Sequence, residues 1–189
     1  MTTRWFDVAG ATGGLVFFSP VMAAIAAAIW WEDRGPALFR QQRLGLGRCP
    51  FEILKFRSMR DNRVTRVGRV LRATGLDELP QFINILCGDM SAVGPRPLTA
   101  DDVTRLGWTT AGADFRWTRR PGLTGLAQLA GPDSAAASLA LDRRYIERQS
   151  LWLDVNLIAL SFAVNVCGKA RVRALVAGSR LAADVRPRD

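Results

Sequence analysis

Histidine is missing altogether from the 189-residue sequence. Its absence removes Ser-His-Asp and Cys-His catalysis and most zinc chemistry in one step. Any acid, base or nucleophile must come from Asp, Glu, Cys, Lys, Tyr or a hydroxyl. Lysine is nearly absent too. Lys55 and Lys169 are the only two, so the excess of 26 Lys+Arg over 17 Asp+Glu, a formal +9, is almost entirely arginine. Such a balance fits nucleic acid, anionic lipid or a phosphorylated ligand. It also fits a genome-wide preference for arginine codons. The basic residues are scattered and form no single tract, which weakens a nucleic-acid reading. Cys49, Cys87 and Cys167 are odd in number and lack CxxC spacing, so they read as reduced cytosolic thiols and not as a disulfide framework. No internal repeat or low-complexity tract is present. The length suits one domain with a real core.

Charge is absent from Val8 to Trp31, between Arg4 and Asp7 on one side and Glu32, Asp33 and Arg34 on the other. About 20 apolar residues cross a bilayer. Ser19-Pro20 falls at the middle, and a central proline interrupts the helical hydrogen-bond ladder. Each half then measures roughly 15 to 18 Å, about one leaflet. The pattern predicts a re-entrant hairpin over residues 1–33, broken at Ser19 and Pro20, with Trp30-Trp31 at the headgroups. Arg34, Arg40, Arg43 and Arg48 keep the following domain, 34–189, cytoplasmic. A kinked true span, a cleaved signal peptide at Ala24-Ile25-Ala26 and a buried soluble helix pair are the competing readings.

Gly35 to Arg43 reads as a turn followed by a strand, Gly45-Leu46-Gly47 as a turn and Phe51 to Arg57 as a second strand, a β-hairpin. Lys55 and Arg57 share one face, either as a phosphate clamp or as a solvated surface. Asp61 to Arg72 carries Val64, Val67 and Leu71 at helical spacing and predicts a short helix leading to Asp77-Glu78. Leu79, Phe82, Ile83 and Leu86 then repeat at helical spacing, and Gly88 is a natural stop. Pro80 fits only the first turn. Asp77 and Glu78 therefore fall at a helix N-terminus, where negative charge is favoured. The plain reading makes Asp77 an N-cap and Glu78 a dipole-compensating surface residue. The chemical reading places them beside Arg72 at an anion site.

In Val93-Gly94-Pro95-Arg96-Pro97 two prolines hold one guanidinium on extended backbone. That suits bidentate phosphate binding, or simply a rigid loop. Arg119 to Gln128 reads as a tight Gly/Pro loop whose glycines allow close approach to a phosphate. Asp101, Asp102 and Arg105 with Val103 and Leu106 suit a helix. An amphipathic helix is expected over Ala135 to Gln149, able to lie on anionic lipid. A more apolar helix is expected from Leu151 to Val166, and a basic helix with a frayed tail from Lys169 to Asp189.

Four of these stretches resemble, in order, the motifs of the bacterial sugar transferases, the monotopic polyprenyl-phosphate phosphoglycosyl transferases. They are Lys55-Phe56-Arg57-Ser58-Met59, Leu76-Asp77-Glu78-Leu79-Pro80-Gln81 with Gly88-Asp89-Met90-Ser91, Val93 to Pro97, and Arg120-Pro121-Gly122-Leu123-Thr124-Gly125-Leu126-Ala127-Gln128. The resemblance implies an α+β, mainly α fold with a re-entrant helix anchor, a β-hairpin and a helical catalytic domain with interfacial helices. It implies transfer of a phosphosugar from a UDP-sugar to undecaprenyl phosphate with release of UMP, using Mg²⁺. Asp77 would be the nucleophile and a metal ligand, and Glu78 its partner. Lys55, Arg72 and Arg96 would hold phosphate oxygens, with Arg120 and Gln128 toward uridine or phosphate. The expected partners are the UDP-sugar, undecaprenyl phosphate and membrane lipid, with no nucleic acid and with a homodimer allowed. The expected location is the cytoplasmic face of the bacterial inner membrane. Some members carry His or Tyr where Trp117-Thr118-Arg119 stands here, which bears on sugar selectivity. The additional membrane helices of long members are lacking, so the chain reads as a short form. A non-catalytic membrane-anchored scaffold and a basic nucleic-acid binder are the other functional readings.

Overall fold

The computed structural model describes residues 3–167 and Val176. It begins with one long helix, α1 (Thr3–Asp33), with Pro20 inside it. The sequence predicts two half-helices meeting at Ser19-Pro20, whereas helical backbone runs through both residues. Pro20 has no N–H to give the Val16 carbonyl four residues back. The Ser19 hydroxyl donates to that carbonyl instead, at 2.8 Å, so the acceptor is not orphaned. The helix is long and apolar enough to cross a membrane, by length and composition. Only a narrow stripe of it is covered. Asp7, Ala11, Ile25 and Ile29 are buried, and Phe18 stacks on Phe82. These positions recur every four or seven residues, the helical period. Trp5, Val16, Phe17, Trp30 and Trp31 are exposed around the rest of its surface.

The expected hairpin forms from β1 (Leu38–Leu44) and β2 (Pro50–Phe56), which pair across a 3-10 turn at Leu46–Arg48. A second, two-residue ladder follows, β3 (Met59–Arg60) with β4 (Arg63–Val64). Asp61 and Asn62 between them both take positive φ, 49° and 59°, as a tight hairpin turn requires. The helix predicted from Asp61 therefore starts later, as α2 (Arg66–Thr74), where the Thr65 side chain accepts from the Gly68 N–H. Next comes α3 (Gln81–Cys87), ended by Gly88 in the left-handed conformation.

The chain divides into two compact units, Met1–Gln42 with Phe51–Met90, and Arg43–Pro50 with the chain from Ser91 onward. In the first unit Ile25, Ile29, Phe56 and Leu71 form a buried centre. Full burial of each such side chain contributes about 1.5–3 kcal/mol. That centre fixes α1, β2 and α2 against one another.

The second unit is built on a short parallel ladder, β5 (Ser91–Val93) with β6 (Gly122–Thr124), in the register Ser91 to Gly122 and Val93 to Thr124. Between the two strands lies α4 (Ala100–Arg105), opened by a Thr99–Asp102 capping box. After β6 come α5 (Leu126–Ala130), α6 (Ala135–Arg148) and α7 (Leu151–Cys167). Leu126, Leu141, Tyr145 and Leu157 centre its core. The Tyr145 hydroxyl reaches two acceptors, Asp154 at 2.8 Å and the Val93 carbonyl at 3.1 Å, tying α6 and α7 to β5. The stretch read as a phosphate-binding loop, Arg119 to Gln128, is mostly regular structure. Its glycines serve packing: a side chain on Gly122 would collide with the Gly94 nitrogen, and one on Gly125 with the Gly94 carbonyl. Apart from Val176, the helix predicted from Lys169 to Asp189 lies outside the described residues.

Candidate active site

The carboxylate pair stands on a turn between two helices. α2 stops at Gly75, which takes φ +73°, a conformation that costs a side-chain-bearing residue more than glycine. The chain then makes a 3-10 turn, Leu76–Glu78, before Pro80 caps α3. Asp77 is therefore not the N-cap of α3, as its spacing from Leu79 predicts. It sits a turn earlier, because the left-handed Gly75 closes α2 and Pro80 starts α3 without a donor.

Lys55, on β2, reaches this turn. Its Nζ lies 2.6 Å from Glu78 Oε1, with the two side chains 24% and 39% exposed. The direct partner of Lys55 is thus Glu78. No ion pair among the described residues uses the Asp77 carboxylate. Partial burial and then the adjacent Glu78 charge push the Asp77 carboxyl above its ordinary range, against the opposing pull of Lys55 and Arg72. Arg72 is exposed in the last turn of α2. The structure brings Lys55, Arg72, Asp77 and Glu78 into one electrostatic group.

Three placements that the sequence reading missed hold this group in position. Asn84, buried in α3, accepts from the Leu54 N–H at 2.9 Å and donates to the Glu52 carbonyl at 2.7 Å. It bolts α3 to β2 beside Lys55. Its signal was a polar residue inside the apolar run Phe82-Ile83-Asn84-Ile85. At one end of α1, Arg4 donates to the Ile85 and Leu86 carbonyls at 2.5 and 2.8 Å, near the end of α3. At the other end Glu32 accepts from the Arg66 and Val67 N–H groups at the start of α2, and Asp33 pairs with Arg57. The two helices flanking the carboxylate turn are latched to opposite ends of α1.

Asp77 and Glu78 are a two-carboxylate donor set, and no cluster of three or more metal-ligating side chains occurs among the described residues. That set fits Mg²⁺, which uses one or two carboxylates and takes its other ligands from phosphates and water. The repulsion of Asp77 by Glu78 is what a divalent cation would relieve.

Arg96, Arg120 and Gln128 lie in the second unit. Arg96 is exposed between buried Pro95 and Pro97. Its carbonyl accepts from Arg116 at 2.6 Å. Arg116 is itself buried against Asp142, 2.7 Å away, with both side chains under 5% exposed. Arg96 and Arg116 line a pocket of about 330 Å³. Arg120 is half-buried, its carbonyl against Gly94, and Gln128 is half-buried in α5.

Fold and site together define a mainly helical protein with small sheets, an apolar N-terminal helix and an acidic turn set among cations. The chain belongs to the bacterial sugar transferase family, whose model matches residues 1–168. It is 44% identical over 180 residues to a UDP-glucose:undecaprenyl-phosphate glucose-1-phosphate transferase of Caulobacter vibrioides, covering 82% of this chain and 66% of the relative. A UDP-N-acetylgalactosamine-undecaprenyl-phosphate N-acetylgalactosaminephosphotransferase of Aeromonas hydrophila is 40% identical, over 82% of this chain and 41% of the relative. The exopolysaccharide production protein ExoY of Rhizobium meliloti is 36% identical, over 84% of this chain and 82% of its own length. The chain thus spans 66% and 41% of the first two relatives.

Proposed function

We propose that the chain transfers a phosphosugar from a UDP-sugar to undecaprenyl phosphate and releases UMP, as a membrane step of exopolysaccharide or glycoconjugate synthesis. The observation that carries this reading is the Asp77-Glu78 turn, half-buried, flanked by Lys55 and Arg72 and latched to an apolar helix. An Asp77 oxygen attacks the phosphorus that bears the sugar, and the bond from that phosphorus to the UMP oxygen breaks, its electron pair leaving with UMP. An oxygen of undecaprenyl phosphate then attacks the same phosphorus and frees the Asp77 carboxylate. Covalent catalysis of this kind divides one hard displacement into two easier ones. Lys55 and Arg72 offset the charge building on the phosphate oxygens, and Lys55 holds Glu78 in place. Arg96, Arg120 and Gln128 are assigned to the rest of the donor. Asp77, with Glu78 assisting, would hold Mg²⁺, which would supply charge neutralisation for the diphosphate.

Residues 1–33 serve as a re-entrant anchor centred on Ser19 and Pro20, with both ends on the cytoplasmic face of the inner membrane. The support is that Arg4 and Glu32, at opposite ends of α1, bond to helices of one and the same unit. A span would carry one of these ends, and with it the helix it bonds to, across the bilayer core. The exposed Trp152 and Phe162 of α7 suit contact with lipid at the interface. Purified protein given a panel of UDP-sugars and undecaprenyl phosphate, with and without Mg²⁺, should release UMP with at least one donor. Failure with every donor would remove the enzymatic reading and leave the scaffold. A tag at the N-terminus should be accessible from the cytoplasm, and periplasmic access alone would refute the re-entrant anchor.

A further inference from the structure

Arginine recurs at every third position from Arg60 to Arg72, with Asp61 as the one carboxylate among them. Arg72 is part of the carboxylate group already described. The others lie on the β3–β4 ladder and on α2, within the first unit. On α2, Arg66, Arg69 and Val70 fall opposite the buried Gly68 and Leu71, so they point outward together. All three are exposed, as is Arg63. Exposed arginines elsewhere are compensated locally. Arg40 and Arg105 have carboxylate oxygens at 3.0 and 2.6 Å. Arg63, Arg66 and Arg69 have no ion pair among the described residues. The acids at the adjoining end of α1 are otherwise engaged. Glu32 accepts from the Arg66 and Val67 N–H groups, and Asp33 pairs with Arg57.

What lies beside this row decides its partner. The Glu32 bonds, and an Arg60 bond to the Asp33 carbonyl at 3.4 Å, set it against the last turn of α1. That turn exposes Trp30 and Trp31, and Arg34 lies over their rings at 4.2 and 5.7 Å from the centroids, within cation–π range. Met59, Val64 and Val70 add exposed apolar side chains among the arginines. Uncompensated guanidinium groups interleaved with exposed indoles and aliphatic side chains match a bilayer surface. Headgroup phosphates take the charge, and the acyl boundary takes the apolar groups. A nucleic acid would use the charge and leave the aliphatic side chains in water. We infer that Arg63, Arg66 and Arg69 contact acidic phospholipid headgroups, so that the chain prefers an anionic bilayer to a zwitterionic one. The inference rests on the anchor reading of α1 and adds to it a headgroup selectivity that an apolar helix alone does not supply.

The test is partition of the full chain, purified in detergent, between two kinds of vesicle. One is phosphatidylcholine alone; the other is equal parts phosphatidylcholine and phosphatidylglycerol. Wild type should favour the anionic vesicles, and less so as salt is raised. An arginine at a charged membrane surface contributes about fivefold, so Arg66→Gln with Arg69→Gln should lower the preference about 20-fold. Arg40→Gln with Arg105→Gln removes the same charge from two locally paired sites and should lower it by about twofold or less. Equal losses in the two double variants would mean that net charge alone acts, and would overturn the assignment. Arg66→Lys with Arg69→Lys keeps the charge and should keep the preference within about threefold. A loss as large as that of the glutamine variant would overturn an electrostatic contact. If the glutamine variant loses binding to a fluorescent oligonucleotide while its vesicle preference stays put, the row belongs to nucleic acid and the inference is wrong. Wild type retained on phosphatidylcholine with no preference would keep the anchor and sink the arginine row. Wild type that leaves phosphatidylcholine yet holds the anionic vesicles through Arg66 and Arg69 would do the reverse.

Discussion

Each unit contains an acid–cation pair, and the two are made differently. Arg116 and Asp142 are 3% and 4% exposed, and Arg116 also bonds a backbone carbonyl and lies over Trp108 and Trp117. Lys55 and Glu78 are 24% and 39% exposed, beside an Asp77 that has no ion-pair partner of its own among the described residues. A sealed, multiply bonded pair fixes geometry and is unavailable to a ligand. A half-open pair next to an uncompensated carboxylate is poor architecture and good chemistry. Similar residue types thus take opposite roles, and solvent access with the count of protein partners separates them.

The sharpest way to break this comparison is to neutralise Asp77. Asp77→Asn keeps the shape and removes the nucleophile, so UMP release should fall by roughly 10⁴-fold or more, with the circular dichroism spectrum unchanged. Retention of substantial turnover would return Asp77 to the role of a turn residue. Next in size is the sealed pair. Asp142→Ala leaves the Arg116 charge buried and alone, which costs about 3–5 kcal/mol against a total stability of about 5–15 kcal/mol. The melting temperature should drop by about 10 °C. The double change Arg116→Met with Asp142→Leu should recover most of the loss. A loss under about 1 kcal/mol for the single variant would mean the pair is not structural. Lys55→Met should do the opposite of Asp142→Ala. The pair is partly solvated, so stability should move by no more than about 1 kcal/mol. Turnover should fall about 10²-fold, as when one stabilising donor is removed from a charged transition state.

The comparison also shows what a linear reading can reach. The apolar α1, the β1–β2 hairpin and the stop at Gly88 are local patterns, and local patterns are legible. Arg116 was not legible. Nothing near it in sequence distinguishes it from Arg119 or Arg120, and its role is set by Asp142, 26 residues on. Asn84 acts on backbone 30 and 32 residues away, so its meaning appears only when α3 meets β2. The glycines of Arg119 to Gln128 announced a close approach correctly. What approaches them is the backbone of Gly94, because a parallel ladder between distant segments leaves no local periodicity. At Pro20 the helical backbone continues, and the preceding serine supplies the hydrogen bond that the proline withholds.

The smallest expected effect bears most directly on why the open site is kept. Burial and the Glu78 charge raise the Asp77 carboxyl above its ordinary value in the folded chain, whereas an unfolded aspartate titrates near pH 3.9. The native state therefore keeps its proton to higher pH than the unfolded state does. By linkage, stability falls as pH rises from the unfolded value through the folded one, and the penalty is complete above it. Asparagine carries no such penalty. Asp77→Asn should be slightly more stable than the wild type at pH 8, by about 1 kcal/mol or less given the solvent around the site. The difference should shrink as pH falls and vanish below about pH 4. Wild-type turnover should run the other way and fall as pH drops through the folded value, because only the carboxylate attacks. Paired denaturant titrations at pH 8 and pH 4 measure the first trend, and initial rates over the same range measure the second. An asparagine variant less stable than the wild type at pH 8 would mean that the Asp77 charge holds the turn together. The contrast with Asp142, whose removal is costly, would then be lost.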